Sequence, residues 1–168
     1  MRQLFLSFCG TGYLKPAPGT WGSLAALPAA WLLVTLGGPY LLVFAMGLCF
    51  ALGIAATQQE MDATGAHDPS WIVIDEVVGQ WIALLPVAFG AARAGVSFFD
   101  LWPGVLTAFL AFRLFDIWKP GPVGWADRKD SATGVMLDDV IAGFLAALVV
   151  IALAYLAHRG FVANVNPA

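Results

Sequence analysis

Long apolar runs separated by short polar segments dominate this sequence. The apolar runs cover residues 24–36, 40–57, 71–89, 101–118 and 140–156. The first run is short for a crossing, which needs about 20 residues, and Gly37-Gly38-Pro39 separates it from the second, so the two predict a helical hairpin. The pattern predicts an all-α integral membrane protein. We expect one domain over residues 1–168, a compact bundle of about five membrane-embedded helices after a long N-terminal Gly/Pro loop.

Composition agrees with a membrane protein. Hydrophobic residues make up 60% of the 168 positions and charged residues only 11%, whereas soluble domains carry about 25% charged residues. Mean hydropathy is +0.81. A net charge of -3 gives no reason to expect nucleic acid as a partner. The two cysteines have no CxxC spacing, which favours reduced, structural thiols.

The Gly/Pro loop covers residues 10–23 and admits two interpretations. Its prolines disfavour a regular helix, and Ser23 stands where an N-cap belongs, just before Leu24. The loop is therefore either a capped connection or a phosphate cradle built from exposed backbone N–H groups. In the second case, side chains would add to the cradle from Thr11, Thr20, Ser23 and Lys15.

Two acidic pairs stand at the heads of apolar runs, Asp75-Glu76 and Asp138-Asp139. Charge is poorly solvated near hydrocarbon, so each pair needs a positive partner. Either pair alone also fits N-terminal helix charges stabilised by the helix dipole. Both pairs together favour one shared metal site at a membrane surface. A glycine follows each pair by one helical turn, at Gly79 and Gly143, which allows close approach of a ligand or simply of another helix.

Carboxylates in number, with few histidines, suit a hard cation such as Mg²⁺. The metal ligands that we expect are Asp75, Glu76, Asp138 and Asp139, with Glu60 and Asp116 as further candidates.

The polar segments fall on one side of the membrane when the crossings are counted. Six of the eight Lys and Arg residues lie on the side of the Gly/Pro loop, as do ten of the eleven acidic residues. The positive-inside rule then places this face in the cytoplasm. The candidate chemistry therefore converges on a cytoplasmic surface.

Cations on the same face suit a phosphate, namely Arg113, Lys119 and Arg128. Arg113, Asp116 and Lys119 fall on one face of their helix by spacing. The alternative for these cations is anchoring to anionic headgroups, which we expect of Lys129. Clustered carboxylates, a metal and basic donors favour phosphoryl chemistry. A Cys-based loop or a two-histidine site has no support in the sequence.

Four ordered motifs resemble the bacterial phosphatidylglycerophosphatase A family. They are GTGYLKPAPGTWGS at 10–23, IVIDEVVG at 72–79, FRLFDIWKPGPV at 112–123 and GVMLDDVIAG at 134–143. The resemblance implies a Mg²⁺-dependent inner-membrane enzyme that converts phosphatidylglycerophosphate to phosphatidylglycerol. It implies metal and catalytic roles for Asp75, Glu76, Asp116, Asp138 and Asp139. It also implies phosphate contacts for Thr20, Ser23, Arg113 and Lys119.

Several alternatives stay open at this point. We expect in-line attack of water on phosphorus, with Asp75 or Asp139 taking the proton, while a covalent aspartyl-phosphate on Asp116 is the other route. An ion-coupled transporter also uses intramembrane acids. Another metal-dependent phospholipid-modifying enzyme is a third class, although the long signature of alcohol phosphatidyltransferases is absent. The sequence leaves the oligomeric state open.

Overall fold

The computed structural model describes residues 1–66 and 69–165, without the side chains of 160–165. His67 and Asp68 of the polar segment after the second apolar run lie outside it. Helices make up 83% of the chain, and no strand occurs in the described residues, which confirms the all-α prediction. The helices are α1 Arg2–Leu6, α2 Pro18–Thr64, α3 Ile74–Ala94, α4 Trp102–Trp118, α5 Pro122–Asp127 and α6 Ala132–Val165, with short 3-10 helices at Thr11–Tyr13 and Phe98–Leu101.

Helix α2 is folded back on itself at the predicted break. Gly37 and Gly38 leave helical geometry there, and Gly38 has a φ of 69°, which glycine adopts without strain. Both ends of α2 consequently reach the start of α3. A Cβ placed on Gly22 would lie 2.8 Å from Cβ of Val73, and one on Gly53 would lie 3.5 Å from Cγ2 of Ile74. The hairpin is therefore confirmed.

Four helices are long and apolar enough to cross a membrane in the described part of the chain, α2, α3, α4 with the preceding 3-10 turn, and α6. Because α2 contributes two arms, 18–36 and 39–64, the bundle has five long apolar helical segments, the number that the pattern predicts. Helix α3 is the central one. Of the residues in its most apolar stretch, 61% are buried inside the protein, against 17% for α2 and 28% for both α4 and α6.

Two helices begin earlier than expected. Helix α2 starts at Pro18 rather than Leu24, because proline suits the first helical position, where its missing N–H needs no partner. Ser23 is therefore buried inside the helix, where its hydroxyl donates to the Gly19 carbonyl at 2.8 Å, and the N-cap prediction is wrong. Helix α6 starts at Ala132, so the second acidic pair lies within it rather than at its head.

The N-terminal segment packs over the start of α3. The Leu6 carbonyl accepts a hydrogen bond from the Val73 N–H at 2.9 Å, and the ring of Tyr13 stacks on Trp71. Arg2 forms an ion pair with Glu60 at 2.6 Å. The segment thereby holds Trp71 and Val73, which lie shortly before Asp75.

Candidate active site

One polar cavity of about 600 Å³ opens at the end of the bundle where α2 and α3 begin and α4 ends. The acidic residues along its wall are Asp75, Glu76, Asp116, Asp127, Asp130, Asp138 and Asp139, and the basic ones are Arg113, Lys119, Arg128 and Lys129. The start of α2, residues 17–19, completes one side. The structure thus brings most of the predicted site residues to one place.

Three carboxylates form the deepest part of the cavity. Oxygen atoms of Asp75, Glu76 and Asp139 all lie within 4.8 Å of one another. Asp75 is 7% exposed and Asp139 is 3% exposed. Oδ1 of Asp139 and Oε2 of Glu76 are buried and have no hydrogen-bond donor within the described residues. Buried carboxylate oxygens that lack donors are costly, and a bound cation removes that cost.

A glycine crossing creates this proximity. A Cβ on Gly143 would overlap the Gly79 carbonyl, and a Cβ on Gly79 would lie 2.5 Å from the Asp139 carbonyl oxygen. Helices α3 and α6 therefore touch backbone to backbone, one turn beyond Asp75 and Asp139. Of the two roles open for these glycines, helix packing is the one that the structure gives them.

The dipole interpretation fits only one of the acidic pairs. Asp75 and Glu76 lie in the first turn of α3. Asp138 and Asp139 lie inside α6, which begins at Ala132, and the dipole effect is confined to the first turn. The second pair therefore needs another source of positive charge.

The positive charge next to Asp138 is the ammonium group of Lys119. Asp138 does not belong to the three-carboxylate group. Lys119 follows α4 with a left-handed φ of 48°, and its ammonium donates to Asp138 at 2.9 Å and also to Asp127. Burial lowers the pKa of Lys119, but the hydrogen bonds to Asp127 and Asp138 outweigh it and raise the pKa above its ordinary value. Lys119 is consequently a permanent cation in the cavity wall.

Arg113 supplies a second fixed cation. It pairs with Asp116 at 2.5 Å, one turn along α4, and its Nη1 donates to the Ser23 hydroxyl at 3.4 Å. Gly19 leaves the space for this arrangement, since a Cβ there would overlap the Glu76 carboxylate and lie 3.2 Å from Arg113 Nη1. The glycine thereby lets Glu76 and Arg113 meet beside the start of α2.

Five of the residues predicted as metal ligands or phosphate contacts do not line the cavity, namely Thr11, Lys15, Thr20, Ser23 and Glu60. The buried Ser23 hydroxyl bonds to the Gly19 carbonyl instead. Glu60 is buried on α2, pairs with Arg2, and is absent from both the cavity wall and the three-carboxylate group. Thr20 lies in the first turn of α2, where its N–H bonds to the Ala17 carbonyl at 3.1 Å, and it does not line the cavity.

Sequence reasoning missed several polar residues of this region, and two of them, Asp127 and Gln80, bear on the geometry of the site. Asp127 accepts a hydrogen bond from Lys119. It lies in a loop rich in charged residues, so nothing in the sequence distinguished it from its neighbours. Gln80 is fully buried on α3, one turn beyond Glu76. Its position in an otherwise apolar stretch was the available signal.

The chain matches the family model for phosphatidylglycerophosphatase A over residues 4–154. It is 41% identical to the phosphatidylglycerophosphatase A of Haemophilus influenzae, over 87% of this chain and 84% of that protein. The phosphatidylglycerophosphatase A of Escherichia coli is 36% identical, over 82% of this chain and 74% of that protein. A putative phosphatidylinositol-3-phosphatase of Bacteroides thetaiotaomicron is 34% identical, over 80% and 81%. No solved structure matches the chain.

Proposed function

The chain belongs to the phosphatidylglycerophosphatase A family of phosphatases, and on that premise we propose that it hydrolyses the terminal phosphate of phosphatidylglycerophosphate with the help of Mg²⁺. The products are phosphatidylglycerol and inorganic phosphate. The observation that carries the proposal is the group of oxygens from Asp75, Glu76 and Asp139 within 4.8 Å.

The residues of the group fit Mg²⁺. They offer oxygen ligands only, which this ion prefers, and buried oxygens of Glu76 and Asp139 lack other partners in the described chain. Asp75, Glu76 and Asp139 would hold the ion, which supplies polarisation of the phosphate oxygens and a lower pKa for water.

The charge of the cavity wall also favours a cation. Seven acidic and four basic residues line it, so an anionic phosphate would meet an excess of negative charge. A bound divalent cation would offset two of the three excess negative charges and so ease the approach of the substrate. A phosphate site that works without a metal would need more basic than acidic residues.

The basic residues have distinct places around the substrate phosphate. Arg113 and Lys119 are each held by carboxylates, so their positions are fixed before substrate binds. Arg128 lines the cavity and has no ion pair within the described part of the chain. We propose that Arg113 and Lys119 stabilise the charge of the reacting phosphate. Arg128 would contact phosphate oxygens nearer the cavity opening.

Water is the nucleophile in this proposal. Asp75 or Asp139 takes its proton, while Arg113 and Lys119 offset the charge that grows on the phosphoryl oxygens. Asp116 is the candidate for a covalent aspartyl-phosphate, but its carboxylate is occupied by Arg113. Acid quenching with phosphate-labelled substrate distinguishes the routes, since label on the protein would require the covalent one.

The lipid enters sideways from the membrane. Ile117 lines the cavity and is 71% exposed. It continues an exposed apolar stripe of α4 at helical spacing, formed by Leu106, Leu110 and Leu114. The acyl chains would stay along this stripe while the headgroup turns into the cavity. By the positive-inside rule, the cavity faces the cytoplasm at the inner membrane.

An ion-coupled transporter is the competing function. It needs ionisable groups along a path across the bilayer. The acidic groups instead gather at one end of the bundle, around one cavity. This arrangement favours chemistry at a membrane surface over transport.

Phosphate release from phosphatidylglycerophosphate in detergent micelles tests the function, with Mg²⁺ and with chelator. Asp75→Asn is the test variant, and Asp62→Asn, at an exposed position on α2, is the matched control. We expect release that needs the metal, collapses in Asp75→Asn and survives in Asp62→Asn. No release from folded wild-type protein with any divalent ion would overturn the proposal. Faster release from phosphatidylinositol 3-phosphate would reassign the substrate.

A further inference from the structure

Gln80 is a buried polar residue that the proposed reaction does not yet use. It lies on α3 with 0% exposure. Its Oε1 and its Nε2 both lack a hydrogen-bond partner within the described residues. An amide in this state is costly relative to one whose hydrogen bonds are satisfied.

Packing gives no reason for an amide at this position. One turn further along the same face of α3, Ala83 and Leu84 are also fully buried and apolar. An apolar side chain of similar size would fill the same space without the cost of desolvating an amide. The amide, unpaired among the described residues, is therefore available to a partner that the present rotamers do not give it.

Glu76 is that partner by position. Residues four apart share a helix face, so Glu76 and Gln80 are neighbours on α3. Oε2 of Glu76 is also buried without a donor. An amide N–H₂ group and a carboxylate oxygen are complementary, and a change of rotamer is enough to join side chains at this spacing.

Arg113 supplies a complementary group for the other end of the amide. Its Nε is buried and has no acceptor in the described chain. The ring of the preceding residue, Phe112, packs against Gly79, so α4 passes α3 next to Gln80. The Gln80 carbonyl oxygen is thus a buried acceptor, unpaired in the described chain, on the stretch of α3 that α4 passes.

We infer that Gln80 is a positioning residue whose amide orients the Glu76 carboxylate toward the divalent cation of the site. The inference rests on the proposed metal-dependent function. Residues that orient metal ligands typically change metal affinity by about 10- to 100-fold when they are replaced. Gln80 would act through Glu76 and touch neither the phosphate nor the water.

The test compares Gln80→Leu with wild type in the full-length protein. Mn²⁺ binding followed by electron paramagnetic resonance reports affinity, and the melting temperature of the metal-free protein reports stability. We expect the Kd for Mn²⁺ to rise about tenfold while the metal-free melting temperature stays equal or increases. The kcat should fall at fixed Mg²⁺, with the KM for lipid unchanged. Leu84→Met, on the same buried face, is the control and should keep the wild-type Kd.

An unchanged Kd with a raised melting temperature would overturn the inference, because a purely structural amide predicts that result. Gln80→Met is the second variant should Gln80→Leu fail to fold, since it keeps the length of the side chain and removes its hydrogen bonds. Failure of wild type to bind Mn²⁺ would instead overturn the proposed metal function itself. The two failures are therefore distinguishable.

Discussion

Gly143 of α6 lies against the carbonyl oxygen of Gly79 on α3, too close for a Cβ to fit between them. This contact sets the separation of the two helices that carry the three-carboxylate group. Asp75 and Asp139 each precede their glycine by one helical turn. The metal-site geometry is therefore a consequence of how closely two backbones pack.

Gly143→Ala should weaken the site and the fold together. The new Cβ would meet the Gly79 carbonyl and also lie 3.0 Å from Cβ of Ile82, so the helices must separate. We expect a loss of about 1–3 kcal/mol in unfolding free energy and weaker Mn²⁺ binding. Gly47→Ala is the control, since nothing lies within 4 Å of a Cβ there. Equal melting temperatures and equal Mn²⁺ affinities for both variants would contradict the account.

Breaking the Arg2–Glu60 pair should affect stability and leave the metal site intact. The Glu60 side chain is 3% exposed and depends on Arg2, whose side chain is 38% exposed. We expect Glu60→Gln to lower the unfolding free energy by about 1–3 kcal/mol with no change in the Kd for Mn²⁺. A large loss of Mn²⁺ affinity at full stability would restore Glu60 as a ligand. Arg2→Met should reproduce the stability loss and add little to it in the double variant.

The raised pKa of Lys119 has a consequence for the pH profile. Hydrogen bonds to Asp127 and Asp138 raise the pKa of Lys119 above its ordinary value. Lys119 therefore stays charged to a higher pH than an ordinary lysine, whose pKa is about 10.4. Its deprotonation therefore cannot produce a decline in activity near neutral or mildly alkaline pH. We expect Lys119→Arg, which never deprotonates, to keep the same alkaline limb of kcat/KM as wild type. A shift of that limb in Lys119→Arg would contradict this role.

Ile117→Trp tests the sideways entry of lipid. A larger side chain at the point where the α4 stripe meets the cavity should raise the KM for long-chain substrate about tenfold, a change of 1.4 kcal/mol in binding. The KM for the water-soluble deacylated substrate should change far less. Leu110→Trp, on the same stripe but outside the cavity wall, is the matched control. Equal effects of Ile117→Trp on both substrates would argue against a lipid portal.

Much of this fold could be predicted because apolar runs and Gly/Pro breaks are local signals. The Gly37-Gly38 turn and the end of α4 before Pro120 follow from backbone chemistry alone. The start of α2 was misplaced because Pro18 was read as a helix breaker, although the first helical position tolerates proline. A residue's type does not show its position relative to the helix start.

The candidate site was predictable in composition and less so in its pairings. Spacing placed Arg113, Asp116 and Lys119 on one side of α4, and all three line the cavity. Which carboxylate faces which cation depends on contacts between distant elements. Asp138 forms an ion pair with Lys119, and Glu60 forms one with Arg2, which lies far away in the sequence. These pairings depend on how distant elements pack, so the local sequence does not predict them.

Mn²⁺ binding to wild type and to Asp139→Asn is the sharpest test of the three-carboxylate metal site, because Asp139 of α6 would complete the two ligands of α3. We expect wild type to bind Mn²⁺ and Asp139→Asn to lose at least about 100-fold in affinity, more than the replacement of an orienting residue would cost. Asp62→Asn should bind like wild type, and phosphate release should follow Mn²⁺ occupancy in all three. Wild-type affinity in Asp139→Asn would show that the three carboxylates do not form the metal site.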